Sequence, residues 1–402
     1  MTDAIDAAML AGLKVMASGK KGIGKSQLLF DTRNAFFGGK GKVIEGRPDL
    51  KLEQLFERIA ISPDQLKNGF NSETIHQLAA AIDYHFFGMD EITYCPEQTQ
   101  TAMLSLMNGY LMFKGEPVKL GSGYCFGIAT GNPNYAGSFR LNEALQDRLH
   151  LFLNFDYWRP TDEDMALIDE RNHVNPGVKE DGVRDISDRI IAAHKELTAR
   201  ETAVEAMIAA RFFERALDYC ETYPAANNSK EALGDAWPSI CAQKSCHLQA
   251  TACGHVKAVG ERTVQAMKRL AAGLEYVAHL KRPETAIDSF GAIFTAAKLV
   301  LPYAGVISPV FMLSEGMFGS PVLAAHAVID DVEKTVREAF FEKVKDEKGV
   351  ERSPPLVVAL AYANAGRLEE YKTFSPDKQW SFVLPLYKSI DKAAKRKKEA
   401  AA

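Results

Sequence analysis

Residues 19–26 read Gly19-Lys20-Lys21-Gly22-Ile23-Gly24-Lys25-Ser26, a full match to G-x-x-x-x-G-K-[ST], and constrain the fold more than any other stretch. Such a loop works between a buried strand and the start of a helix. Leu13-Lys14-Val15-Met16-Ala17 supplies the strand, and Gln27-Leu28-Leu29-Phe30 continues as the helix. The glycines let backbone N–H groups turn inward around phosphate oxygens, and the positive end of the helix faces the same anion. Lys25 then reaches the β- and γ-phosphates and the Ser26 hydroxyl ligates Mg²⁺. Gly19, Gly22, Gly24 and Gln27 complete the nucleotide-binding set. The competing reading is a glycine-rich turn that matches by chance.

At 402 residues the chain exceeds a single core, so two or three domains are expected. Hydrophobic and charged contents of 47% and 25% are those of ordinary soluble globular proteins. A net charge of −4 gives no general reason to expect a nucleic-acid partner. No apolar run approaches the length of a membrane span. The start, Met1-Thr2-Asp3-Ala4-Ile5-Asp6, is acidic where a signal peptide is basic, and six cysteines do not make a disulfide scaffold. The expected compartment is the cytoplasm.

Val43-Ile44-Glu45-Gly46 reads as a second strand, and residues 49–71 as an insertion between core elements. The apolar run Tyr84-His85-Phe86-Phe87-Gly88-Met89 ends in Asp90-Glu91. Two carboxylates at the carboxyl end of a buried strand suit phosphoryl transfer. Asp90 would hold Mg²⁺, and Glu91 would orient and deprotonate the attacking water. Either could instead cap the helix that begins near Pro96. Residues 110–113 and 117–120 flank a glycine-containing turn and predict a hairpin. The strand Tyr124-Cys125-Phe126-Gly127-Ile128-Ala129 then runs into Thr130-Gly131-Asn132-Pro133. Asn132 could hold the attacking water beside Glu91, or simply open a turn.

The ordered set of P-loop, insertion, Asp-Glu strand, hairpin, Ile128-Ala129-Thr130-Gly131-Asn132-Pro133 and Leu141-Asn142-Glu143-Ala144-Leu145-Gln146-Asp147-Arg148-Leu149 resembles the MoxR family of AAA+ ATPases. That clade also holds magnesium-chelatase and McrB-type modules. The resemblance spans about residues 10–160. It implies that Lys25 and Ser26 belong to Walker A, Asp90 and Glu91 to Walker B, and Asn132 to sensor 1. It further implies that residues 49–71 are the helix-2 insert and that Arg148 is an arginine finger completing a neighbouring subunit's site. An ion pair of Arg148 with Asp147 or Glu143 is the alternative, and Arg140 is a second candidate. Three departures stand out: Leu149 where the family has Phe, Thr93-Tyr94 where it has Asn-Arg, and only about ten residues before the first strand, where relatives carry a helix.

Helical patterns follow over 186–197, 204–219 and 262–278, as in the lid of AAA+ proteins, and Gly260-Glu261-Arg262-Thr263 places Arg262 at sensor 2. Four of the six cysteines, Cys220, Cys241, Cys246 and Cys253, fall within 34 residues, with His247 and His255 among them. They could supply a structural Zn²⁺ site, could equally hold an Fe–S cluster, or could be plain buried thiols. The basic run near residues 392–399 reads as a solvated tail.

The expected fold is thus an α/β P-loop AAA+ parallel-sheet domain over residues 1–158. A helical lid with a Cys/His-rich insertion near 220–255 covers 159–304, and a helical region completes 305–402. The expected function is ATP hydrolysis with Mg²⁺ in a homo-hexameric ring. Its target is a protein client, or a partner carrying a von Willebrand factor A domain. The alternatives are a McrB-like nucleic-acid motor, a nucleotide-gated scaffold with little turnover, and an activator of another enzyme's metal centre.

Overall fold

Lys14–Ser18 (β1) is buried along its whole length, as is Phe126–Gly131 (β6, following the strands named below), which is what a central parallel sheet covered on both faces requires. The computed structural model describes residues 2–50, 85–113, 116–119, 124–132, 148–156, 161–170, 183–200, 202–220, 229–243, 251–284, 288–345 and 351–354, with 357–358, 361–362, 365 and 367 beyond. It divides into two compact units, Met1–Arg200 and Glu201–Ala402.

In the first unit the elements run α1 (Thr2–Leu10), β1, α2 (Lys25–Phe37), β2 (Lys42–Glu45), β3 (Phe86–Asp90), α3 (Glu97–Met107), β4 (Tyr110–Phe113), β5 (Glu116–Lys119), β6, β7 (Leu151–Asn154), α4 (Asp162–Glu170) and α5 (Ser187–Ala199). Five strands form one parallel sheet in the order β2-β3-β6-β1-β7. The register pairs Ala17 with Thr130 and Glu45 with Asp90, so the carboxyl ends of β1, β2, β3 and β6 lie along one edge. Met16, Ile44, Phe87, Met89 and Ala129 join Met103, Leu106 and Met107 of α3 in a core under that edge. β4 and β5 pair as the expected antiparallel hairpin, Tyr110 opposite Lys119 and Phe113 opposite Glu116.

The few residues ahead of β1 do form a helix. Ala4, Ile5, Ala7, Ala8, Met9 and Leu10 of α1 are buried. The Tyr124 hydroxyl donates to Met9 O at 2.7 Å, and a ring nitrogen of His194 on α5 lies 2.9 Å from Leu10 O. The residues ahead of β1 are therefore a packed helix of the first unit.

The second unit is helical. It contains α6 (Val204–Arg211), α7 (Glu261–Lys281), α8 (Ser289–Val300) and α9 (Pro321–Phe341). Its core includes Ile208, Phe213, Val264, Met267, Leu270, Phe294, Ile329 and Val332, with the Phe213 and Phe294 rings 6.0 Å apart. The pattern over 204–219 predicts one helix, but the chain widens into a π turn at Phe212–Ala216. Asp288 and Ser320 cap α8 and α9 by accepting from Gly291 N and Leu323 N. Among the described residues no helix is long and apolar enough to cross a membrane.

The expected insertion beyond residue 50, Arg140, the motif residues 133–147, Cys246, His247 and the basic tail lie outside the described residues.

Candidate functional site

The loop after β1 is built to receive an anion. Gly19, Gly22 and Gly24 have φ of 146°, 80° and 85°, and Gly24 stands as the left-handed residue that opens α2 with no side-chain cap. A Cβ at Gly22 or Gly24 would meet nothing within 4 Å, so the left-handed backbone rather than crowding is what favours glycine there. Lys25 is only 5% exposed, and its Nζ donates to Gly19 O at 2.8 Å and Lys20 O at 2.7 Å. Asp156, just past β7, accepts from Lys20 N at 3.1 Å and so ties the loop to the next strand. The Gln27 side chain donates to Asp31 one turn along α2.

Parallel register brings three further residues to this loop. The Ser26 hydroxyl donates to Asp90 Oδ1 at 3.0 Å across 64 residues of sequence. Thr130, fully buried at the end of β6, donates to the same oxygen at 2.6 Å and accepts from Glu91 N at 2.9 Å. Glu91 itself has φ 51° and ψ 49°, a left-handed conformation uncommon for any side chain but glycine and concentrated at functional sites. Its Oε2 is buried with no hydrogen-bond partner among the described residues. Burial raises the Glu91 carboxyl above its ordinary value; Lys25 and Lys21 pull it back and Asp90 adds to the rise.

Two residues shape this corner without a sequence signal of their own. Gly46 N donates to Asp90 O at 2.7 Å, and a Cβ on Gly46 would lie 2.3 Å from Glu91 O, so only glycine fits there. Thr93 stands where an Asn was expected from the resemblance; it is fully buried and its hydroxyl accepts from Asn132 N at 3.4 Å. Thr93 thus holds the chain at Asn132, just past the end of β6.

Arg148 is not brought to this loop. Lys14 N donates to His150 Nδ1 and His150 N donates to Lys14 O, both at 3.0 Å, while Val15 pairs with Leu151. Arg148 therefore stands at the sheet end where β1 begins, a strand length of about 16 Å from the loop after Ser18. Arg262 lies in the first turn of α7 in the second unit, next to Glu261, which pairs with Arg211.

In the cysteine-rich stretch, as elsewhere among the described residues, no three His, Cys, Asp or Glu side chains converge as a metal-ion group. The expectation of zinc finds no support there. A buried ammonium occupies this region instead. Lys230, 3% exposed, donates to Cys253 O at 3.0 Å and Val256 O at 2.8 Å and lies 5.2 Å from the Trp237 ring centroid. Burial lowers its pKa, while Cys253, Asp218, Cys241 and Cys220 work in the opposite direction.

Residues 14–149 match the family model described as AAA domain, dynein-related subfamily. That segment is similar to AAA domains. The boundaries of the match run from β1 to the residue after Arg148, which encloses the whole loop-and-carboxylate site. A crystal structure from Cytophaga hutchinsonii, described as a "putative ATPase", superposes with a TM-score of 0.53 at 15% identity, covering 82% of this chain and 88% of that one. The likeness establishes a shared fold: a parallel α/β sheet followed by a helical region. No curated protein matches the chain.

The donor set fits a magnesium nucleotide. A glycine-rich loop with positive-φ backbone, one lysine and a hydroxyl–carboxylate pair offer the amide, ammonium and oxygen groups that phosphates and Mg²⁺ take.

Proposed function

We propose that the AAA domain hydrolyses ATP and that the chain acts as a MoxR-like remodeller of a protein partner, working as a ring of copies. The observation that carries the hydrolytic reading is the convergence of Ser26, Asp90 and the Glu91 turn at the mouth of the glycine loop.

The loop amides and Lys25 bind the phosphates, with the lysine exchanging the Gly19 and Lys20 carbonyls for phosphate oxygens. Ser26 and Asp90 are the residues that would hold Mg²⁺, which when bound neutralises charge between the β- and γ-phosphates. Glu91 accepts a proton from the attacking water. Its buried, unpartnered oxygen and raised pKa suit a base shielded from solvent. Asn132, fixed through Thr93, orients that water.

Arg148 supports a site shared between copies. It cannot serve the loop of its own chain from the opposite end of the sheet, yet an arginine in this role contributes about 10³–10⁵ in rate. Six copies and a von Willebrand factor A partner follow from the family resemblance. Glu91→Gln tests the catalytic assignment: it is expected to bind ATP as wild type does and to turn it over about 10²–10⁴-fold more slowly. Hydrolysis at the wild-type rate by that variant would defeat the assignment.

A further inference from the structure

Glu91 holds a backbone conformation that disfavours a side chain, and the neighbouring contacts show what keeps it there. Its carbonyl accepts from Tyr94 N at 2.9 Å, closing the short turn at Ile92–Tyr94. Its amide donates to Thr130 Oγ1 at 2.9 Å. The single proton of that hydroxyl is directed at Asp90 Oδ1, 2.6 Å away, which also accepts from Ser26. A hydroxyl can accept and donate at once, which neither an apolar side chain nor an ammonium can do. Thr130 is also immobile: it is fully buried, β-branched and fixed opposite Ala17 by strand register.

We propose that Thr130 is the positioning residue for Glu91: its hydroxyl, shared between the Asp90 carboxylate and the Glu91 amide, holds the left-handed turn that aims the Glu91 carboxylate. The inference rests on the hydrolytic reading above. Its physical content is a chain of three hydrogen bonds, from the Ser26 hydroxyl through Asp90 and Thr130 to the Glu91 amide. The P-loop and the backbone of the base thereby share one carboxylate oxygen, and the geometry of one is transmitted to the other. Nothing in the chain involves Thr130 touching the reacting atoms. Its effect falls on the rate of the chemical step rather than on nucleotide affinity.

The test compares Thr130→Val with Thr130→Ser in the full chain, reading ATP turnover, ATP affinity and amide hydrogen exchange at residue 91. Thr130→Val is expected to lower kcat about 10–100-fold with affinity changed by less than about 3-fold, and Thr130→Ser to restore most of the rate. The Glu91 amide should exchange at least about tenfold faster in the valine variant and not in the serine one. If the valine variant fails to fold, Thr130→Ala removes the hydroxyl without setting a methyl group against Asp90. Wild-type turnover without the hydroxyl, a serine variant as slow as the valine one, or an unchanged exchange rate would each overturn the proposal. A wild-type protein that never hydrolyses ATP, yet whose Glu91 amide loses protection in Thr130→Val, would overturn the hydrolytic reading and leave the latch standing.

Discussion

At the carboxyl end of the sheet, Ser26, Thr130 and the Glu91 amide gather on Asp90 from positions 26, 130, 91 and 90. In the second unit, one buried ammonium, Lys230, donates to the carbonyls of Cys253 and Val256 in the cysteine-rich stretch. Both regions bury polar groups, and both attract notice from residue types alone. They differ in what brings the groups together. Parallel register forces the ends of neighbouring strands to meet whatever their distance in sequence, so a motif at one strand end points at a motif on the next. Helices and turns impose no such rule, and cysteines close in sequence need not turn their sulfurs toward one centre. A backbone-enforced site is predictable from spacing; a composition-based one is not.

The sharpest way to break that comparison is at the position where the first region has no room. In Gly46→Ala the new Cβ would lie 2.3 Å from Glu91 O and 3.0 Å from Asp90 O, so the carboxylate corner must move. Turnover is expected to fall about 10²-fold, with a smaller change in nucleotide affinity. Wild-type kinetics in this variant would mean that the corner tolerates displacement and that register is not what sets it.

A middle-sized effect tests the second region. Lys230→Met removes the donor shared by Cys253 O and Val256 O and leaves the buried Val256 carbonyl without it. Unfolding by urea is expected to show a loss of about 1–3 kcal/mol, and a strong chelator is expected to leave the same transition where it was. A transition that shifts with chelator and ignores Lys230→Met would show that a metal, not the ammonium, organises the cysteine-rich stretch.

The smallest effect lies at the rim of the first unit, away from both regions. Asp185 pairs with Lys40 at 2.7 Å and accepts from Ser187 N and Oγ, which pull its carboxyl down to about 2. The unfolded chain takes up this proton first as pH falls, near the ordinary value of about 3.9. The stabilisation is therefore complete above that value and lost as pH drops toward 2. Because both side chains are partly exposed, Asp185→Asn should lower the melting temperature only slightly at pH 7 and not at all near pH 2. An equal effect at both pH values would remove charge as the cause.

Much of the site was legible in the residues. The glycine loop, Ser26 and the Asp90-Glu91 pair were readable because each sits at a strand end with its chemistry in a short string. Thr130 was not, because a threonine at the end of a β-strand is ordinary in sequence and its role lies in hydrogen bonds to residues 39 and 40 positions away. Gly46 was hidden for a similar reason, since its constraint is the backbone of another strand. The signal available for both was their place level with Asp90, which needs the strand order. In the second unit the apolar pattern over 204–219 could not distinguish an α-helix from the π turn at Phe212–Ala216, because both keep Phe212 and Phe213 buried. The zinc expectation finds no support among the described residues, and the buried cation that does stand in that stretch, Lys230, carries no motif at all.

The central claim is that the hydrolytic site is completed by a second copy, with Glu91 and Arg148 at opposite ends of one sheet. Mixing two inactive variants, Glu91→Gln and Arg148→Ala, tests it most directly. Subunits keeping Glu91 would then receive an intact arginine from neighbours that lack the base. The account predicts that ATPase activity in the mixture rises well above that of either variant alone. Activity no greater than the average of the two would contradict it.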